Sequence, residues 1–457
     1  MISYTSTRGR APELGFADVL LSGLAPDGGL YVPTTWPKEQ LPDAAVPYAQ
    51  FAAAVMWPFV EGSIERSDFD RICEESYATF SVDEVIPLVT LADGIEVAEL
   101  FHGPTLAFKD VAMQLLGRLF DHELERRSQR VTIVGATSGD TGSAAIEAFR
   151  DRKNADIFIL HPYGRTSDVQ RRQMTTVQAP NVFNIAVEGT FDDCQDLVKA
   201  MFADTAFRDR VALGAVNSIN WARVMAQIVY YHWALAKVED RPASVIVPTG
   251  NFGNVFAGRV AMRMGAPIGE LVVASNRNDI LTQFFTEGSM TIGEVEPSLS
   301  PSMDIQVSSN LERLIYELLG NDGSAVAELM AQFRTYGHIA LSETLLPRIQ
   351  ESWVGLSLDD QETLDVIQAV YEESGVILDP HTAVGVGAAR QRPDILSRLV
   401  MATAHPAKFP DAVEQATGIR PELPPHLADL FEREEHYEKL PAELATIQRF
   451  IDSNRVS

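Results

Sequence analysis

From residue 97 onward the chain alternates short apolar runs with longer segments of helical periodicity, and this alternation restricts the possible folds more than any other feature. The runs at 97–101, 131–134, 157–160, 182–187, 245–247, 271–274 and 399–402 have the length and content of buried strands. Helical periodicity fills 111–124, 143–150, 168–175, 191–202 with Thr190 as N-cap, 220–238, a stretch ending at Met264, and 359–374. Strands that alternate with helices predict an open, mostly parallel α/β sheet, and in such sheets ligands sit beyond the carboxyl ends of the strands. The region 276–360 reads as mostly helical, with a less regular part at 288–309. Residues 1–93 read as a separate, mainly helical N-terminal domain, and 431–457 as a helical tail after a central region, 94–430.

Few chemical classes survive the totals. A net charge of −26 over 457 residues leaves no basic surface for nucleic acid. No apolar run reaches the roughly 18 residues of a membrane span. Cys73 and Cys194 are too few for a disulfide framework, and the N-terminus lacks an apolar signal region, so a cytoplasmic protein is expected. No His-x-x-x-His or Cys-x-x-Cys spacing supports a metal, and no Gly-x-Ser-x-Gly elbow supports a serine hydrolase.

Five stretches carry candidate chemistry. Phe101-His102-Gly103-Pro104-Thr105-Leu106-Ala107-Phe108-Lys109-Asp110 ends a strand-like run and opens a helix, with Thr105 as its expected N-cap. A cation at a helix start is electrostatically disfavoured, so Lys109 would suit an imine; a solvated surface lysine is the plainer reading of the stretch alone. Thr137-Ser138-Gly139-Asp140-Thr141-Gly142 and Gly250-Asn251-Phe252-Gly253-Asn254 each follow a strand and open a helix, where free N–H groups and the dipole suit phosphate. Neither has P-loop or dinucleotide-fingerprint spacing, and either is compatible with a plain turn. Asn217, Ser218 and Arg223 form either an anion clamp or a capping cluster. Thr403-Ala404-His405-Pro406 lies at a strand end, with the His405 ring read as core. An imine-forming lysine, a phosphate cup and strand-end hydroxyls together suit pyridoxal phosphate.

With Tyr4-Thr5-Ser6-Thr7-Arg8-Gly9, Gly28-Gly29-Leu30-Tyr31-Val32-Pro33, Asn217-Ser218-Ile219-Asn220 and Thr403-Ala404-His405-Pro406-Ala407-Lys408-Phe409, these blocks occur in the order found in threonine synthases, and the chain resembles that family over nearly its whole length. The resemblance implies pyridoxal-phosphate fold type II, with two open, mostly parallel twisted sheets and a smaller subdomain at about 130–215. It implies Lys109 as the Schiff-base lysine and proton carrier. Gly250, Asn251, Phe252, Gly253 and Asn254 would hold the cofactor phosphate, Thr403 would face the ring nitrogen, and Asp140 would lie near the ring hydroxyl. Thr137, Ser138 and Thr141 would meet the substrate's carboxylate or phosphate, and Asn217, Ser218 and Arg223 its phosphate. Shorter relatives carry asparagine where this chain has Asp140. The implied reaction turns O-phospho-L-homoserine and water into L-threonine and phosphate, in a monomer or homodimer. A dehydratase or phospho-lyase acting on a related amino acid is the alternative.

Overall fold

In the computed structural model, which describes residues 1–38 and 44–456, two sheets meet at a cleft. The larger runs in the order Trp353–Ser357, Ile268–Ser275, Ala243–Pro248, Arg398–Ala402, Glu96–Glu99 and Leu88–Thr90. All its neighbours are parallel except the last pair. Side-chain alternation divides its inner strands between two cores. Val245, Val247, Leu399 and Met401 face one, while Ile246, Val400 and Val97 face the other, against Ile367 and Val384. With helices on both faces, these strands read as continuous apolar runs. The smaller sheet is parallel throughout, in the order Glu438–Pro441, Val182–Glu188, Ala155–Pro162, Val131–Ala136 and Leu213–Gly214.

Among the strands that the sequence reading does not contain, two extend the sheets at their edges. Trp353–Ser357 lies in the region read as helical, yet it pairs with Ile268–Ser275 from Leu271↔Trp353 to Ser275↔Ser357. A five-residue edge strand leaves little periodic signal, and Gly355 is set by packing: a Cβ there would meet the Thr282 Cα at 2.9 Å. In the tail, helix Leu444–Asn454 is preceded by strand Glu438–Pro441, which adds to the edge of the smaller sheet. Glu438 and Lys439 are exposed, so backbone pairing makes this strand without an apolar pattern. Ile447 and Ile451 of the following helix then join the core with Phe158, Ile185 and Val187.

The N-terminal residues do not form a core of their own. Helix Trp221–Lys237 is buried from Trp221 through Leu235 and is touched by helices Phe16–Ser22, Tyr48–Val60, Lys109–Arg127 and Gly253–Met264. A helix apolar all round belongs in an interior. Tyr4 packs against Trp221 at 5.9 Å between ring centroids and donates to the Phe59 carbonyl at 2.6 Å. Arg8 reaches Glu312 at 2.9 Å, and the buried Arg313 donates to the carbonyls of Tyr31 (2.9 Å) and Ile219 (2.7 Å). Arg8 and Tyr31 are therefore tied to helix Leu311–Leu318, whose first turn lies beside the 250–254 loop.

His232 sits within this central helix, and burial lowers its pKa to about 4 from an ordinary value of 6.5. A base whose folded pKa is depressed contributes stability above the unfolded value, and that contribution is lost as pH falls from about 6.5 to 4. The linked loss is about 3 kcal/mol from this one group. His232→Leu should therefore flatten the dependence of urea-unfolding stability on pH between 6.5 and 4. An unchanged slope would show that the ring is not protonated on unfolding.

Candidate active site

The turn after strand Glu96–Glu99 delivers Lys109 to the first residue of helix Lys109–Arg127. Thr105 does not cap this helix as expected; the cap position is Phe108, without a side-chain bond. The left-handed Leu106 (φ 62°) holds Thr105 off the helix end, where its N–H and hydroxyl donate to Asp110 at 2.8 and 2.6 Å. Gly103 permits this, because a Cβ there would lie 2.4 Å from the Asp110 Cβ. Burial raises the Asp110 carboxyl to about 6 against those two bonds. The turn is fastened to the neighbouring strand end by Phe108 N–H to the Thr403 carbonyl (2.9 Å) and His405 N–H to the Leu106 carbonyl (3.1 Å).

The smaller sheet contributes Asp140, the first residue of helix Asp140–Phe149. Gly139 before it adopts φ 152°, and a Cβ would collide with Gln170 at 2.4 Å. Asp140 Oδ2 accepts from Lys109 Nζ at 3.1 Å and Ser302 Oγ at 3.2 Å. Its Oδ1 accepts from Lys408 Nζ at 2.7 Å and Gln170 Nε2 at 2.8 Å. Burial alone would raise this carboxyl, but Lys109, Lys408 and Gln170 outweigh it and hold it well below the usual range. Burial lowers Lys109, as do Lys408 and Arg223, against the opposing pull of Asp140. Ser302 N–H also donates to His381 Nε2 (3.3 Å), and the other ring nitrogen of His381 lies 2.8 Å from Asp379 Oδ2.

Across the cleft, the loop 250–254 runs from strand Ala243–Pro248 into helix Gly253–Met264. Ser308 Oγ bonds the Gly250 carbonyl at 2.8 Å and Asn310 N–H bonds the Asn251 carbonyl at 3.1 Å. With its carbonyls held this way, the loop leaves the unsatisfied amides of the helix N-terminus for an anion. Gly250 is needed because a Cβ would meet the Ser302 carbonyl at 2.6 Å. Phe252, left-handed at φ 62°, stacks its ring on Trp353 at 5.4 Å, so the unforeseen edge strand supports the cup. Asn254 Oδ1 accepts from Tyr230 (2.5 Å) and Tyr231 (2.8 Å), while its buried Nδ2 has no partner. Arg223, 4% exposed, has no hydrogen-bond partner for Nε or Nη1. Burial lowers its guanidinium to about 10.

These groups line a cleft of about 690 Å³ at the carboxyl ends of the larger sheet's strands. Lys109, Asp140, Thr141, Ser218, Arg223, Thr403 and the whole 250–254 loop are on its wall. Thr137 and Ser138 are not. The Thr137 hydroxyl accepts the Gly139 and Gly142 amides at 3.0 and 2.9 Å, so it shapes the turn, and Ser138 is exposed. Asn217 is half-buried with its Oδ1 unpartnered, just outside the lining. The sequence reading missed Ser302, His381, Gln227 and the role of Lys408. Gln227 follows Arg223 by one helical turn, and His381 follows an Asp-Pro helix start, so both had local signals. Among the described residues no His/Cys/Asp/Glu group could hold a metal, and no helix is long and apolar enough to cross a membrane. A lysine, a helix-end cup and two orphaned buried donors are the groups that a phosphorylated, lysine-bound ring requires, so the residues present fit pyridoxal phosphate.

Known proteins agree with this fit. The families described as "Threonine synthase N terminus", "Pyridoxal-phosphate dependent enzyme" and "Threonine synthase, C-terminal" match residues 3–77, 97–403 and 382–451. A threonine synthase of Pseudomonas aeruginosa is 54% identical, covering 99% of this chain and 98% of its own. The pyridoxal-phosphate-bound threonine synthase of Brucella melitensis superposes with a TM-score of 0.97 at 49% identity, each chain covered completely. The yeast threonine synthase structure gives 0.93 at 37% identity, covering 99% of this chain and 98% of that one. With a cleft built for a phosphorylated cofactor and relatives matched end to end, this chain belongs to the threonine synthase family of pyridoxal-phosphate-dependent enzymes.

Proposed function

We propose that the cleft converts O-phospho-L-homoserine and water into L-threonine and phosphate. One observation carries the choice of a phosphorylated substrate: the buried, unpartnered guanidinium of Arg223, in the same cleft as Lys109 and the helix-end cup. An uncompensated buried cation is costly, and a chain of net charge −26 keeps one only where an anion completes it. The cup at 250–254 takes the cofactor phosphate, with Asn254 Nδ2 as a further donor. Arg223, with Ser218 and Asn217, takes the substrate phosphate and retains it as it departs from Cγ. Pyridoxal phosphate, when bound, supplies the electron sink that makes protons on Cα and Cβ removable. Lys109 Nζ takes and returns those protons, and burial, which lowers its proton affinity, eases the return. Asp140, pinned through both oxygens, orients the amine. Thr403 lies on the cleft wall as a neutral neighbour for the ring nitrogen.

Phosphate release and amino-acid analysis test the reaction together: threonine and phosphate should form in equal amounts from O-phosphohomoserine. Accumulation of 2-oxobutanoate without threonine would replace this reading with a dehydratase or phospho-lyase. Lys109→Ala should remove the visible absorbance of lysine-bound cofactor and lower kcat by roughly 10²–10⁴; a retained band would show that another lysine carries the cofactor. Arg223→Gln removes charge-assisted bonds of about 1.5–3 kcal/mol, so kcat/KM should fall roughly 10- to 150-fold. Inhibition by inorganic phosphate should weaken in parallel, and unchanged phosphate inhibition would place the substrate phosphate elsewhere.

A further inference from the structure

Lys408 has no place in the reaction as described, yet it is among the most deeply buried charged groups in the protein, at 0% exposure. It lies in the short 3₁₀ turn Pro406–Lys408, directly after the Thr403 strand end. Its Nζ has two short contacts, 2.7 Å to Asp140 Oδ1 and 2.8 Å to the Thr105 carbonyl. Lys109 has two longer ones, 3.1 Å to Asp140 Oδ2 and 3.4 Å to Ser302 Oγ. Ser302 also donates to Oδ2, so it competes with Lys109 for the same oxygen. One carboxylate thus faces two lysines in a water-poor cleft, where like charges repel strongly and a lone carboxylate balances only one cation.

The remaining surroundings do not restore the balance for Lys109. From its own helix, Asp110 turns away to the Thr105 N–H and hydroxyl. From helix Trp221–Lys237 comes Arg223, a second cation with no partner. From helix Pro380–Arg390 comes His381, which accepts from the Ser302 amide and leans on Asp379. Asp140 is the only carboxylate in contact with Lys109 among the described residues, and Lys408 holds it more closely.

We propose that Lys408, acting through Asp140, is a positioning residue that keeps Lys109 uncharged in the resting cleft. Lys408 neutralises Asp140, so that Lys109 is left with a hydrogen bond in place of a full counter-ion. This arrangement also accounts for an aspartate at position 140. Its charge is taken by Lys408, and the carboxylate presents to the cleft as one part of a neutral pair. The inference rests on Lys109 being the cofactor lysine, but its test does not require turnover.

Acetic anhydride pulses on the full-length, cofactor-free chain across a pH series, read by mass spectrometry of the Lys109 peptide, report the charge of Lys109. The exposed Lys199 is the internal reference. In the unaltered chain Lys109 should reach half-labelling at a lower pH than Lys199, and equal half-points overturn the proposal without any variant. Lys408→Met should move the Lys109 half-point up by about one pH unit or more, which is roughly a tenfold loss of labelling near neutrality. Lys408→Arg, which keeps the cation, should restore the original profile, and Lys408→Gln, checked for its melting temperature, serves if the methionine variant does not fold. In an Asp140→Asn background the loss of Lys408 should have little further effect. An unmoved profile in a folded Lys408 variant would make Lys408 a structural tether only, and an equal shift in the Asp140→Asn background would overturn the proposal by showing that Lys408 repels Lys109 directly and not through Asp140. In the holoenzyme, the pH at which the visible band changes form should rise with Lys408→Met. Because labelling needs neither cofactor nor substrate, its failure leaves the proposed reaction standing, and failure of that reaction leaves the labelling interpretable.

Discussion

The carboxylate of Asp140 is where the separate pieces of this protein become one site. It begins a helix of the smaller sheet, yet three of its partners come from elsewhere: Lys109 from the helix after strand Glu96–Glu99, Lys408 from the turn after Arg398–Ala402, and Ser302 from the 3₁₀ turn Pro301–Met303. A buried charge without partners would be prohibitive, and satisfying all of its lone pairs requires the two sheets to meet in one register. The same satisfaction explains why glycine stands at 139, since a side chain there would displace Gln170 from Asp140.

An acidic chain that handles anions must build its positive potential from few parts. Here they are a helix N-terminus whose loop carbonyls are tied back by Ser308 and Asn310, one guanidinium left unpaired, and lysines arranged around a single carboxylate. Each gains strength from exclusion of water, because electrostatic attraction weakens as the local dielectric rises. The surface charge of −26 is thus compatible with a cationic interior, and the two are separated by the helices that cover the larger sheet.

Much of this is legible in the sequence. The strands at 131–134, 245–247 and 399–402, the N-cap at Thr190 and the helix-opening loops all declare themselves through short-range periodicity and turn chemistry. Strand Trp353–Ser357 did not, because five residues give no long repeat and its apolar side chains divide between both cores, Trp353 on one side and Val354 and Leu356 on the other. Glu438–Pro441 was hidden for a related reason: its place in the sheet comes from backbone pairing with Ile185 to Glu188, while its side chains are largely in water. Thr105 has the composition of a cap, but the left-handed Leu106 turned it toward Asp110.

By itself the sequence determined the alternating parallel architecture, the presence of Lys109 and the 250–254 cup at helix starts, and the family, because each depends on residues close together in the chain. Tertiary structure alone decided that Thr137 serves its own turn, that Ser138 lies outside the cleft, and that Ser302, His381 and Lys408 enter the network around Asp140. Those partners lie far apart in sequence, and no local pattern records which buried carboxylate a distant lysine will reach. The charge of Lys109 belongs to that second class, since it is set by what surrounds the amine once water has been excluded.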